Sequence, residues 1–254
     1  QGEMMTLPDC WQLKDPKQTR LREGDDVLAV LQGGTRELVV LFSNRGSAYV
    51  LRMNDVPPST GYGEPVQKLF KFADGERVVA ALSLDPRVTP AEEVVLLAAT
   101  RDGMVLRFSA DPLREATTRS GRRFARPAEG DEVVLVSVCE PGAIVALASE
   151  RGRAILFDSE EVPVLAGPGK GVIGIRLADD DRVVGAALFG KDEKRAVLTL
   201  ENGKGTAYTV TRRYDVVGRG GKGFEMIKRD RFVRAVPPEV VLLDLPERSG
   251  AGGR

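Results

Sequence analysis

The chain has 254 residues, 42% hydrophobic and 29% charged, with 37 Lys and Arg balancing 37 Asp and Glu, and it contains no histidine. That length can bury a sizeable core, as one large all-β domain or two ordinary ones. Lack of histidine removes His-based acid–base catalysis, Ser-His-Asp triads and most zinc sites, and no apolar run approaches the roughly 18 residues that cross a bilayer.

The chain opens Gln1-Gly2-Glu3, without an initiator methionine and without the basic-then-apolar order of a secretory signal, which suggests a fragment or a processed chain. Cys10 and Cys139 lie far apart and lack metal-ligand spacing, the pattern of a reduced, cytoplasmic setting. Residues 1–24 form an N-terminal segment, and the stretches at 4–7 and 11–13 are expected to help close the array that follows.

From there the chain repeats. Short apolar strands are expected at 27–31, 78–82, 133–137 and 183–187, starting 51, 55 and 50 residues apart. Each opens a unit, and a second apolar strand follows at 38–42, 94–98, 144–148 and 196–200. A tight turn then ends in Gly46, Gly103, Gly152 or Gly203, where a hairpin needs a left-handed residue. Third strands are expected at 48–52, 105–108, 154–157 and 207–210. A longer polar segment comes next, carrying a glycine-containing loop: Gly61-Tyr62-Gly63, Gly121-Arg122-Arg123, Gly167-Pro168-Gly169-Lys170-Gly171 and Gly218-Arg219-Gly220-Gly221-Lys222-Gly223. A fourth strand, as at 66–70 or 172–176, and an acidic turn such as Asp74-Gly75-Glu76 or Asp179-Asp180-Asp181 complete the unit.

Four short strands at a period near 50 predict a propeller-like array, one blade per unit. The strands are near-continuously apolar, as expected where both faces of a sheet are covered, and no stretch sustains a helical period. The units run over about 27–77, 78–132, 133–182 and 183–231, with a partial fifth at 232–245, so that residues 25–245 form one array. Residues 246–254 read as a disordered tail.

Charge is segregated although the total is zero. Between residues 211 and 231, Arg212, Arg213, Arg219, Lys222, Lys228, Arg229 and Arg231 oppose Asp215, Glu225 and Asp230, a net of +4. Between 114 and 126, five arginines including Arg119, Arg122, Arg123 and Arg126 oppose Glu115, again +4. Segregated charge makes a local positive field. The loop at 218–223 sets Arg219 and Lys222 among four glycines, which suits a polyanion whose phosphates approach backbone N–H groups and cations together. A flexible surface turn is the plain alternative.

Other features carry less. Gly203-Lys204-Gly205-Thr206 resembles a nucleotide loop but lacks the spacing and the following helix. Asp179-Asp180-Asp181 fits a solvated turn better than a calcium loop. Glu160, Glu161, Asp192 and Glu193 read as exposed acids, and Tyr49 and Tyr208 as packing between blades. One Trp and four Tyr make a single-strand stacking platform a poor fit.

The repeat resembles the C-terminal domain of the A subunit of bacterial type IIA topoisomerases, DNA gyrase and topoisomerase IV. The matching pieces are Asn44-Arg45-Gly46, Glu150-Arg151-Gly152, residues 61–72 with Asp74-Gly75-Glu76, and residues 167–172; the likeness covers roughly residues 25–245. Arg219-Gly220-Gly221-Lys222-Gly223 is similar to the last five residues of the gyrase box Gln-Arg-Arg-Gly-Gly-Lys-Gly. Here Val217 and Gly218 precede it, and it falls in the last clear repeat rather than the first blade, which leaves a topoisomerase IV-like subunit or a divergent gyrase open.

The resemblance implies an all-β β-pinwheel whose blades exchange a strand and whose basic rim bends double-stranded DNA toward a cleavage core. Partners would be duplex DNA, the rest of the A subunit, and the ATPase B subunit. The catalytic tyrosine and metal carboxylates belong to other domains, so this chain by itself is expected to be non-catalytic and without cofactor or membrane partner. Candidate DNA-binding residues are Arg219, Gly220, Gly221, Lys222, Gly223, Arg122, Arg123, Arg126, Lys170, Arg212, Arg213, Lys228 and Arg229. The alternatives are a protein-interaction scaffold and a propeller enzyme with an acid pair in its channel. The second is disfavoured because the first apolar run of each blade carries almost no carboxylate.

Overall fold

A computed structural model describes residues 4–5, 23, 27–57, 62–90, 92–191 and 196–236. After β1 (Met4–Met5) come the hairpin of β2 (Leu38–Ser43) and β3 (Ser47–Arg52), then β4 (Glu64–Pro65), which pairs with β1, and β5 (Val78–Ser83), which pairs with β2. The second unit holds β6 (Val95–Thr100), β7 (Met104–Ser109), β8 (Arg122–Arg123) and β9 (Val133–Val138). The third holds β10 (Ile144–Ser149), β11 (Arg153–Asp158), β12 (Val164–Leu165), β13 (Val172–Ile173) and β14 (Val183–Phe189). The fourth holds β15 (Val197–Asn202), β16 (Ala207–Thr211), β17 (Phe224–Glu225) and β18 (Phe232–Val236).

Pairing does not respect the repeat boundaries. The sheet orders are β5-β2-β3-β8, β9-β6-β7 with β12 and β13 both on the outer edge of β7, β14-β10-β11-β17, and β18-β15-β16. The outer edge of each of the first three sheets is therefore completed by a short strand from the following unit. At the opposite edge, the apolar run expected to open each unit instead closes the sheet before it. This follows from β5, β9 and β14 returning antiparallel to β2, β6 and β10.

The same rule places residues 232–236, expected to begin a fifth unit, on the edge of the fourth sheet. Residues 11–13, 192–193, 240–245 and 246–254 lie outside the described residues. Residues 27–31 form no strand. The fourth strand expected at 66–70 is a short 3-10 turn over Val66–Lys68 that starts from the fixed φ of Pro65. It covers one face of the first sheet, with Val66 and Phe70 against Val39, Leu41 and Tyr49.

Near-continuous apolar strands give each inner sheet two buried faces. Val40, Phe42 and Val50 pack against Leu96, Leu106 and Phe108 between the first and second sheets. Leu97 and Val105 meet Val145, Leu147 and Phe157 between the second and third, and Ala146 and Leu156 meet Leu198 and Leu200 between the third and fourth. Each fully buried Leu or Phe contributes on the order of 1.5–3 kcal/mol, so the stack is held by its inter-sheet layers.

The hairpins are built alike. All four have a register shift at the residue before the turn, Ser43, Thr100, Ser149 or Asn202. The left-handed glycines are Gly46, Gly103, Gly152 and, in the fourth hairpin, Gly205 rather than the expected Gly203. The turn has the same length in all four, and the Gly205 amide donates to the Asn202 carbonyl at 3.0 Å as Gly46, Gly103 and Gly152 do to Ser43, Thr100 and Ser149.

The turn also receives the next unit. The Gly46 carbonyl accepts from the Phe124 and Ala125 amides at 2.9 and 3.2 Å, Gly103 from Gly174 and Ile175 at 2.8 and 3.3 Å, and Gly152 from Met226 and Ile227 at 2.7 and 3.3 Å.

The acidic turns are not simply solvated. Asp131 accepts from the Asp102 and Glu132 amides at 2.9 and 2.8 Å, and Asp181 from the Arg151 and Arg182 amides at 3.0 and 2.9 Å. Both carboxylates are buried and tie a hairpin to the acidic turn that completes its own unit. Glu160, expected to be an ordinary exposed acid, forks with the buried Arg107 at 3.0 and 3.1 Å. Tyr49 and Tyr208 do pack, on Phe70 and Phe72 and on Phe232.

Candidate nucleic-acid interface

In the second, third and fourth units the polar segment after the third strand crosses the outer edge of the preceding sheet, pairs with it in two-residue strands, and then meets the preceding hairpin turn. One further bond recurs at three boundaries. The Lys71 amide donates to the Arg119 carbonyl at 2.7 Å, Arg126 to Gly169 at 2.9 Å, and Arg176 to Gly221 at 2.8 Å. The Gly220 amide adds a bond to the Gly174 carbonyl at 2.7 Å. These main-chain clips lay the loop of each unit beside that of the next, so the basic loops form one continuous edge.

Arg122 and Arg123 constitute β8, opposite Ala48 and Ser47. Their guanidiniums rest on the Pro112 carbonyl and, at 3.0 Å, on the Arg45 carbonyl. Arg126 makes the second clip, with Lys170 next after its partner Gly169, and Lys222 follows Gly221 at the third. Lys228 occupies in the fourth unit the place of Arg126 and Arg176, directly after the amides that bond the hairpin turn, with Arg229 beside it; all are exposed. Arg212 and Arg213 follow β16, with Arg212 on the carbonyls of Gly190 and Lys191. Among the described residues no hydrogen bond joins them to the clipped loops.

Within the loop at 218–223 the two cations differ. Arg219 is a clamp: its amide donates to the Glu161 carboxylate at 3.0 Å, its Nε to the Glu161 carbonyl at 2.9 Å and its Nη1 to the Ile173 carbonyl at 3.1 Å. The Lys222 side chain is exposed and has no hydrogen bond or ion pair among the described residues, while its carbonyl accepts from Arg153 at 3.3 Å. Tyr214 and Phe224 stack at 4.6 Å across the base of the loop.

The glycines divide similarly. Gly223 has φ +67°, and a Cβ there would lie 2.2 Å from the Ala154 carbonyl oxygen; Gly171, with φ +82°, meets the Val105 carbonyl in the same way. Their close approach is to the neighbouring sheet, not to a ligand. Gly220 and Gly221 have no atom nearer than 3.6 Å to such a Cβ, so their outer side is open.

Carboxylates neutralise arginines elsewhere. Glu132 pairs with Arg77 and Arg101, each at 2.6 Å, Arg182 with Asp102 at 3.3 Å, and Arg151 with Asp180. Burial pushes the Glu132 carboxyl up, but Arg77, Asn44 and Arg101 outweigh it and hold it below the usual range. Among the described residues none of the candidate arginines and lysines is in an ion pair, so the clipped loops keep their positive charge.

Three cations at the clips were not among the candidates: Lys71, Arg119 and Arg176, all exposed. The signal for two of them is spacing. Lys71, Arg126 and Arg176 each stand seven residues before Val78, Val133 and Val183, a register visible only when the repeats are aligned from their closing strands. Among the described residues no acidic, histidine or cysteine cluster could hold a metal ion, and no helix is long and apolar enough to cross a membrane.

A stack of small sheets that exchange outer strands and carry cations along one edge is a β-pinwheel, a propeller-like fold. The model of the DNA gyrase C-terminal domain, beta-propeller, matches residues 37–85, 95–140 and 143–189, and the chain belongs to that family. It is 30% identical over 204 residues to the gyrase A protein of Helicobacter pylori, covering 79% of this chain and 24% of that protein. To the gyrase A protein of Escherichia coli it is 29% identical over 218 residues, covering 85% and 24%. The chain thus spans about a quarter of the length of the curated relatives it matches.

The fold is similar to that in the crystal structure of the C-terminal domain of DNA topoisomerase IV, with a TM-score of 0.77 at 19% identity, covering 88% of this chain and 70% of that one. It is also similar to the DNA gyrase A C-terminal domain, with a TM-score of 0.63 at 18% identity, covering 94% and 75%.

Proposed function

We propose that this chain is a non-catalytic, sequence-tolerant module that binds duplex DNA along its clipped loops and bends or wraps it for a type II topoisomerase. The observation that carries the reading is the continuous edge of exposed cations, none of them paired with a carboxylate among the described residues. Such an edge neutralises phosphates along a path without reading bases. Bending a few tens of base pairs costs on the order of 1–10 kcal/mol, so several contacts must act together, and a repeated loop supplies them. Membership of the gyrase C-terminal family supports the same reading; its partners in the cytoplasm would be the remainder of the gyrase A or topoisomerase IV protein and the ATPase B protein.

The test is the salt dependence of binding to a linear duplex of random sequence. Each phosphate contact contributes about −0.9 to the slope of log K against log salt. Lys170→Ala/Lys222→Ala is expected to make the slope shallower by roughly 1–2 and to weaken binding equally for unrelated sequences. An unchanged slope and affinity, or binding confined to one sequence, counts against the proposal.

A further inference from the structure

We infer that the phosphate-binding positions of this edge are composite seats at the blade boundaries, each built from two units, and that the first seat is Lys71 with Arg119. This rests on the duplex-binding reading above and assigns residues outside the Gly-basic motifs. The geometry is the threefold clip. At each boundary the donor amide belongs to a cation, Lys71, Arg126 or Arg176, and the acceptor carbonyl belongs to the unit that follows. A second cation accompanies each acceptor: Arg119 itself, Lys170 after Gly169, and Lys222 after Gly221. Two cation-bearing positions from different units are therefore brought side by side wherever two loops are bonded.

At the first boundary both side chains line one cleft. A hollow of about 350 Å³ is lined by Gln67, Phe70, Lys71, Phe72 and Arg119. Its walls are firm, because Tyr49 packs on both phenylalanine rings at 5.0 and 4.7 Å. Arg119 also donates to the Lys68 carbonyl at 3.4 Å, which steadies its guanidinium beside the opening. Neither Lys71 nor Arg119 is in an ion pair among the described residues, whereas Lys68 nearby is paired with Glu64 at 2.8 Å. The glycine-containing loop of this unit, Gly61-Tyr62-Gly63, carries no cation. The seat is supplied instead by the clip.

Face-to-face sheets lie about 10 Å apart and spread outward in a fan, so three successive boundaries cover on the order of 20 Å or more of edge. That is a large part of one helical turn of roughly 34 Å, enough for a duplex lying on the edge to present a phosphate to each seat.

The experiment compares salt slopes for the 254-residue chain and a fluorescein-labelled linear duplex. The clip uses main-chain atoms only, so Lys71→Ala/Arg119→Ala removes both charges and leaves the clip bonds in place, which a circular-dichroism melt checks. This variant is expected to lower the slope by roughly 1–2 and to weaken binding about 3- to 10-fold at intermediate salt, as Arg126→Ala/Lys170→Ala does. Lys71→Arg/Arg119→Lys, which keeps both charges, should retain the slope, and Arg36→Ala, at the opposite end of the first hairpin, should leave it unchanged. Should the double alanine variant melt early, Lys71→Gln alone reads the same slope.

A folded Lys71 variant with the full wild-type slope, alongside a reduced slope for Lys170→Ala/Lys222→Ala, overturns the first seat and spares the duplex-binding reading. A wild-type chain that binds no duplex at low salt overturns both.

Discussion

A methyl group added at Gly223 would lie 2.2 Å from the Ala154 carbonyl on a backbone with φ +67°, whereas at Gly221 it would find nothing nearer than 3.6 Å. Gly223→Ala is accordingly expected to destabilise the chain by roughly 1–3 kcal/mol, seen as a lower urea midpoint. Gly221→Ala should stay within about 0.5 kcal/mol of wild type. The two cations of the loop should separate as cleanly. Arg219 uses two guanidinium nitrogens on carbonyls in different segments, a fork that an ammonium cannot reproduce. Arg219→Lys keeps the charge and should still weaken duplex binding, while Lys222→Arg should not. Equal behaviour of the two in a binding titration would make Arg219 a phosphate contact rather than a clamp.

At the scale of the element, each hairpin and the acidic turn that completes its unit act as one joint. Carboxylates at this joint and elsewhere in the chain are held ionised when it is folded. Hydrogen bonds from Arg87 keep Asp85 well below the usual carboxylate range, and Glu160 is lowered by Arg107. Glu132 joins them, its arginine partners outweighing burial. A depressed folded-state pKa contributes stability that is complete above the unfolded value and is lost as pH falls through the folded one. The urea midpoint should therefore hold near neutrality and fall once the pH drops below about 4, where unfolded carboxylates protonate. Glu132→Gln should flatten part of that fall. The motif residues at these joints were legible, since Asn44, Arg101 and the acidic turns recur in order. Their role as ties was not, because Asp131 and Asp181 find their amide donors in the hairpin at the other end of their own unit, 29 and 30 residues away.

For the whole molecule, stability resides between sheets. Phe157 is fully buried between the second and third sheets, and Phe157→Ala is expected to cost roughly 3–5 kcal/mol in chemical denaturation. A loss below about 1 kcal/mol would argue against inter-sheet packing as the main term.

Period, turn glycines and near-continuous apolar strands were enough by themselves to specify an all-β array of four-stranded units with basic loops between them. They could do so because each is a local signal: hairpin chemistry and two-faced burial are written within a few residues of where they act. Strand ownership was settled only in three dimensions, as when β8 left its own unit to pair with β3 and the run at 78–83 closed the sheet before it. So was the edge on which Lys71, Arg119 and Arg176 join Arg126, Lys170 and Lys222. Both depend on main-chain bonds between units some fifty residues apart in the repeat, and a backbone amide leaves no mark in the sequence of the carbonyl it will find.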